Sequence, residues 1–101
     1  MKVISSQKYI DDEILNEKIE QIRDLEYIEL PIINVEMQDE DGNDLFVLID
    51  GHHRKEAAQQ LGIDVRYEEV PNYHNLTGVE LLNAIYMDSD YYYVDTGADV
   101  W

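Results

Sequence analysis

The chain has no cysteine, which excludes disulfides, thiolate zinc sites, cysteine nucleophiles and thiol redox chemistry together. Its five glycines and two prolines are too few for a flexible Gly/Ser linker or a Pro-rich spacer, and no internal repeat divides it. No stretch approaches the roughly 20 apolar residues of a membrane span, and Met1 to Lys8 lacks the apolar core of a signal peptide, so a cytoplasmic protein with no membrane contact is expected. Positive charge is also scarce. Seven Lys and Arg stand against 23 Asp and Glu, a formal charge of −16. Such a surface repels phosphodiesters, so no direct DNA or RNA binding is expected. The imbalance sharpens along the chain, because residues 72–101 carry five acidic residues and no Lys or Arg. An acidic excess serves either as a solvated surface that resists aggregation or as a patch that meets a basic partner.

What is present fits one α+β domain, since 101 residues that are 45% hydrophobic support a single core. Asp11 and Asp12 offer N-cap oxygens to a segment in which Leu15, Ile19 and Ile22 recur at helical spacing, predicting a helix over 12–24. Pro31 then opens a β-branched strand, Ile32-Ile33-Asn34-Val35. The Asp-Gly step within Gln38 to Asp44 predicts a hairpin turn into Leu45-Phe46-Val47-Leu48-Ile49, an unbroken apolar run that reads as a central strand covered on both faces. Arg54 to Leu61 reads as a helix, with Gly62 as the glycine just past its end and Ala57 and Ala58 allowing close packing on the sheet. Ile63 to Tyr67 alternates as a half-buried strand and stops at Val70-Pro71-Asn72. Thr77 and Glu80 have capping-box spacing before a helix over about 78–87 with a broad apolar face. The expected organisation is thus a core over 1–71 and an acidic C-terminal extension over 72–101, helix plus Tyr-rich tail, packed on the same domain.

The chemistry concentrates at Asp50-Gly51-His52-His53-Arg54. A strand that turns through Asp-Gly into a helix presents unpaired backbone N–H groups where the helix dipole favours an anion. Gly51 lets the backbone approach closely, His52 and His53 add donors, and the fork of Arg54 matches phosphate or carboxylate. The plainer alternative is that Asp50 caps the helix and the histidines sit at the sheet edge.

Val47 to Ile63, with its apolar strand, Gly-x-x-Arg turn, Ala-Ala helix and Leu-Gly ending, resembles the ParB/sulfiredoxin family, and the order of elements over 1–71 agrees. The resemblance implies a small mixed sheet with packed helices and a nucleotide- or phosphate-binding turn. It also implies that Gly51 and Arg54 hold phosphates, with His52 and His53 beside them. Where this turn is active in the family it performs nucleotide hydrolysis or phosphotransfer. The corresponding roles here fall to His52 or His53 as donor or general base, with Asp50 helping to hold Mg²⁺ brought by a nucleotide. Sulfiredoxin chemistry is ruled out, because the position of its cysteine is His52. A ParB-type clamp is disfavoured, since Leu30 replaces the glutamine before the proline and the second nucleotide motif is missing. A metal site built from protein side chains alone is not expected: adjacent histidines point apart, and His74 lies in another loop.

A rival reading from a different class starts from the charge. Asp39, Glu40, Asp41 and Asp44 in the hairpin turn, with Asp88, Asp90, Asp95, Asp99, Tyr91, Tyr92, Tyr93 and Trp101 in the tail, suit a non-enzymatic protein that occupies a basic groove. Carboxylates would stand in for phosphates, as in a DNA-mimic inhibitor carried by a phage or plasmid and aimed at a basic nucleic-acid-binding protein. The tyrosines have plainer readings: Tyr91 and Tyr93 alternating as an added edge strand, packing against the last helix, or a frayed tail.

Overall fold

The computed structural model describes all residues from Met1 to Trp101. Eight elements follow one another: β1 (Lys2–Ser5), α1 (Asp12–Ile22), β2 (Tyr27–Gln38), β3 (Asp44–Leu48), α2 (His52–Leu61), β4 (Asp64–Glu69), α3 (Gly78–Ala84) and β5 (Tyr92–Tyr93). The strands form one mixed sheet in the order β4-β2-β3-β1-β5. The β2–β3 and β1–β5 pairs are antiparallel, while β1–β3 and β2–β4 are parallel. The protein is a small α+β domain, as its sequence patterning predicts.

Each sheet face has its own apolar core. One gathers Leu15 and Ile22 of α1, Ala57 and Ala58 of α2, and Ile28, Leu30, Ile32 and Leu48 of the sheet. The other gathers Leu81 and Leu82 of α3, Tyr91 and Val100 of the tail, and Ile4, Ile33, Val35, Leu45 and Val47. Within the 72–101 segment, α3, Tyr91 and Val100 close one face of the sheet, while Val94 joins the α1–α2 core on the other.

Several boundaries move from their expected places for identifiable reasons. Helix α1 starts where predicted, with the Asp11 carboxylate accepting from Glu13 N and Ile14 N at 2.9 and 3.1 Å, but it ends at Ile22 rather than at 24. Strand β2 runs through Pro31 instead of beginning there. The Pro31 carbonyl accepts from Ile49 N at 3.4 Å, so its missing N–H would point to the same side, just past the last β3 residue, where no ladder bond is lost. Ile49 itself is 43% exposed because β3 ends before it. The sequence does not mark β1 as a strand, because two consecutive apolar residues between polar ones carry no periodicity. Helix α3 lacks the expected Thr77 side-chain cap, since Gly78 enters with φ +57 and makes the first turn irregular. It also stops at Ala84 rather than 87, because Met87 N, Asp88 N and Ser89 N donate to the Oγ and carbonyl oxygen of Ser6 at 2.9, 3.1 and 2.9 Å.

Candidate functional site

The turn from β3 into α2 is built by Gly51, whose φ of +88 is left-handed and whose backbone lies so close to Leu30 that a Cβ would sit 2.6 Å from Leu30 Cδ2. The Asp50 carboxylate accepts from Gly51 N at 2.8 Å and does not cap the helix. No side chain caps α2, and no acidic residue lies in its first turn. The leading amides of the helix are thus unclaimed at its positive end.

A cavity of about 210 Å³ opens on this helix start, lined by Gln7, Lys18, Asp50, Gly51, His52, His53 and Arg54 among others. Arg54 and Lys18 make no salt bridge; the two ion pairs in the protein are Lys2–Asp95 and Arg23–Glu20. The two histidines differ in environment. His53 Nε2 accepts from Asp11 N at 3.0 Å, which places the ring proton on Nδ1 and ties the turn to the start of α1. Its acceptor nitrogen is therefore already committed to holding two helices together, which weakens the general-base role read from the sequence. His52 is 5% exposed and neither ring nitrogen has a hydrogen-bond partner. Burial, aided by the nearby Lys55 ammonium, holds its pKa below the usual histidine value, so it is neutral at pH 7.

His52 also lines a second cavity of about 420 Å³ with Lys8, Lys55 and Tyr92. Lys55 is 4% exposed, donates from Nζ to Tyr92 Oη at 3.3 Å and has no carboxylate partner, and burial lowers its pKa. The ammonium groups of Lys8 and Lys55 both lie near the Tyr92 ring, at 5.2 and 5.3 Å from its centroid. Four of the seven basic residues, Lys8, Lys18, Arg54 and Lys55, thus line two cavities that share one histidine. Sequence reasoning found Arg54 and missed the others, because Lys8 and Lys18 come from the β1–α1 region and only the fold brings them to α2. No three His, Asp or Glu side chains converge as a metal-binding set, and His74 is exposed elsewhere.

The residues assigned to a partner surface are dispersed and partly internal. Asp39 is 8% exposed and organises the β2–β3 turn, accepting from Asp41 N, Asn43 N, Asn43 Nδ2 and Tyr93 Oη at 2.6–3.0 Å. Those bonds lower its pKa to about 2, the Tyr93 hydroxyl contributing most, while Tyr93 is pushed up to about 12. Tyr91 and Tyr92 are buried, their hydroxyls donating to the carbonyls of Leu82 and Gln7 at 2.6 and 2.5 Å. This corrects the expectation that Asp39, Tyr91 and Tyr92 present contact area: they hold the tail to the sheet. Asp88 accepts from Lys8 N and Tyr9 N at 2.7 and 3.3 Å, Asp44 accepts from Gln38 Nε2 at 3.0 Å, and Asp95 pairs with Lys2 at 3.8 Å. Glu40, Asp41, Asp90, Asp99 and Trp101 remain exposed.

No protein-family model matches the chain, and no curated protein or solved structure shows significant similarity to it.

Proposed function

We propose that the turn from Asp50 to Arg54 binds the phosphate of a nucleotide or another small phosphorylated ligand. The carrying observation is the uncapped start of α2, flanked by Arg54 and Lys18 without carboxylate partners. In a chain of charge −16, cations left unpaired around free helix amides make one local site where an anion is favoured. The ParB/sulfiredoxin-like pattern of Val47 to Ile63 supports the same reading.

In this reading the amides that follow Gly51 hold the phosphate oxygens, Arg54 supplies a two-pronged contact, and Lys18 adds charge from α1. Asp50 is the carboxylate of the turn that a Mg²⁺ carried by a nucleotide would meet. Binding is better supported than phosphotransfer or hydrolysis, since His53 Nε2 is occupied by Asp11 N and His52, although it lines the cavity, is only 5% exposed. A small acidic domain that senses or sequesters a phosphorylated ligand is the function this geometry fits.

The test is thermal unfolding with ATP, ADP, CTP or inorganic phosphate, with and without Mg²⁺. Millimolar ligand with a dissociation constant about a hundredfold lower stabilises the fold by about 2.7 kcal/mol, an upward shift of several degrees. The shift should vanish in Arg54→Ala. The absence of a shift with any of these ligands rejects the proposal.

A further inference from the structure

The largest cavity, about 630 Å³, lies on the α3 face of the sheet, away from the α1–α2 face that carries the turn. It is an open apolar groove between α3 and the tail, formed by Met37, Val79, Leu82, Tyr86, Tyr91 and Trp101. Its rims are uncovered: Val79, Tyr86 and Trp101 are 60%, 52% and 58% exposed. Trp101 stands edge-on to Tyr91, ring centroids 6.4 Å apart, so its indole is positioned by a buried partner. A tryptophan and a tyrosine held over an apolar floor form the kind of patch that anchors a partner's side chains.

The charge around this groove selects the partner. Asp90 lines it, Glu80 follows Val79 in α3, and Asp99 lies two residues before Trp101. No Lys or Arg occurs anywhere after Arg66, so α3 and the tail contribute only negative charge to the rim. An apolar floor inside an anionic rim complements a helix that is apolar on one face and basic on its flanks.

We propose that this groove is a docking site for a basic amphipathic helix of a partner protein, with apolar anchors seated between α3 and Trp101 and Lys or Arg side chains on the acidic rim. The acidic surface then acts as a rim that selects and steers. It is not a continuous imitation of a phosphate backbone. This inference is independent of phosphate binding at the turn.

Trp101 is the single tryptophan, so its fluorescence reports on the groove directly. The probes are a synthetic amphipathic Leu/Lys peptide and a Ser/Lys peptide of equal length and charge. The Leu/Lys peptide should shift Trp101 emission to the blue and bind at least tenfold more tightly than the Ser/Lys peptide. Its affinity should fall severalfold as NaCl rises from low to molar concentration. The variant Val79→Glu discriminates by sign: at an exposed position it preserves the fold, checked by thermal unfolding. Groove docking predicts at least tenfold weaker binding, whereas attraction by net charge alone predicts equal or tighter binding. Equal binding of the two peptides, or unchanged or tighter binding by Val79→Glu, overturns the proposal. So does a concentration-dependent shift of Trp101 emission without peptide, which would assign the groove to a second copy of the chain.

Discussion

At the residue scale the turn depends on Gly51 more than on any charged neighbour. With φ at +88 and Leu30 Cδ2 2.6 Å from where a Cβ would stand, Gly51→Ala combines left-handed strain with a steric clash. A loss of about 1–3 kcal/mol is expected, read as a lower denaturant midpoint with an unchanged slope. His52 gives a pH signature. Its folded pKa lies below its unfolded value near 6.5, so the unfolded chain binds the extra proton between the two. Stability from this group is complete above pH 6.5 and declines as the pH falls through 6.5 toward the folded pKa. His52→Leu should flatten that decline between pH 7.5 and 5.5 without lowering stability at pH 7.5, because both ring nitrogens lack partners to lose. An unaltered slope in urea titrations across that range would place the titration elsewhere. Gly51 is legible in the sequence because a strand turning into a helix needs a residue that accepts a left-handed φ, whereas Arg54 stands out by its anion-matching fork and the family resemblance. The burial of His52 beside an exposed-looking Arg-Lys step is not legible there, since it depends on the β1–α1 segment and the tail passing over it.

At the element scale the tail is structural. Tyr91, Tyr92, Val94 and Val100 are all at most 9% exposed, and β5 pairs with β1 through Ile4↔Tyr93 and Ser5↔Tyr92. Burial of four such side chains contributes on the order of 6 kcal/mol or more, comparable with the whole stability of a small domain at roughly 5–15 kcal/mol. Deleting residues 88–101 should therefore abolish cooperative unfolding, measured by circular dichroism, rather than trim a surface. For the tyrosines the sequence offers an edge strand with Tyr91 and Tyr93 alternating, packing on the last helix, or a frayed tail; the strand forms at Tyr92–Tyr93 instead, and Tyr91 reaches α3. Helices α1 and α2, the hairpin and β4 were readable because local periodicity and turn chemistry determine them. β1 and the early end of α3 were not, because both are decided by pairing between distant segments, Ser6 with residues 87–89 above all.

For the whole molecule, the net charge of −16 is accompanied by just two ion pairs, both exposed to solvent. Repulsion among carboxylates should dominate the response to ionic strength, so the melting temperature is expected to rise as NaCl increases from about 10 mM, where the screening length is about 30 Å, to about 150 mM, where it is about 8 Å. A flat or falling curve by differential scanning calorimetry would mean that attractive pairs outweigh repulsion. The sheet order carries a separate consequence at its margins. On one side lies β4, whose Asp64, Arg66, Glu68 and Glu69 are exposed. On the other lies β5, two residues long, its outer backbone taken up by its own turn, with Tyr93 N donating to the Ala98 carbonyl at 2.8 Å and Gly97 N to the Tyr93 carbonyl at 2.7 Å. An incoming strand would meet exposed charged side chains, three acidic and one basic, at one margin and already engaged amides at the other. Cross-β growth is therefore blocked at the β5 margin, and the one backbone edge left to extend, β4, is guarded only by its charged side chains.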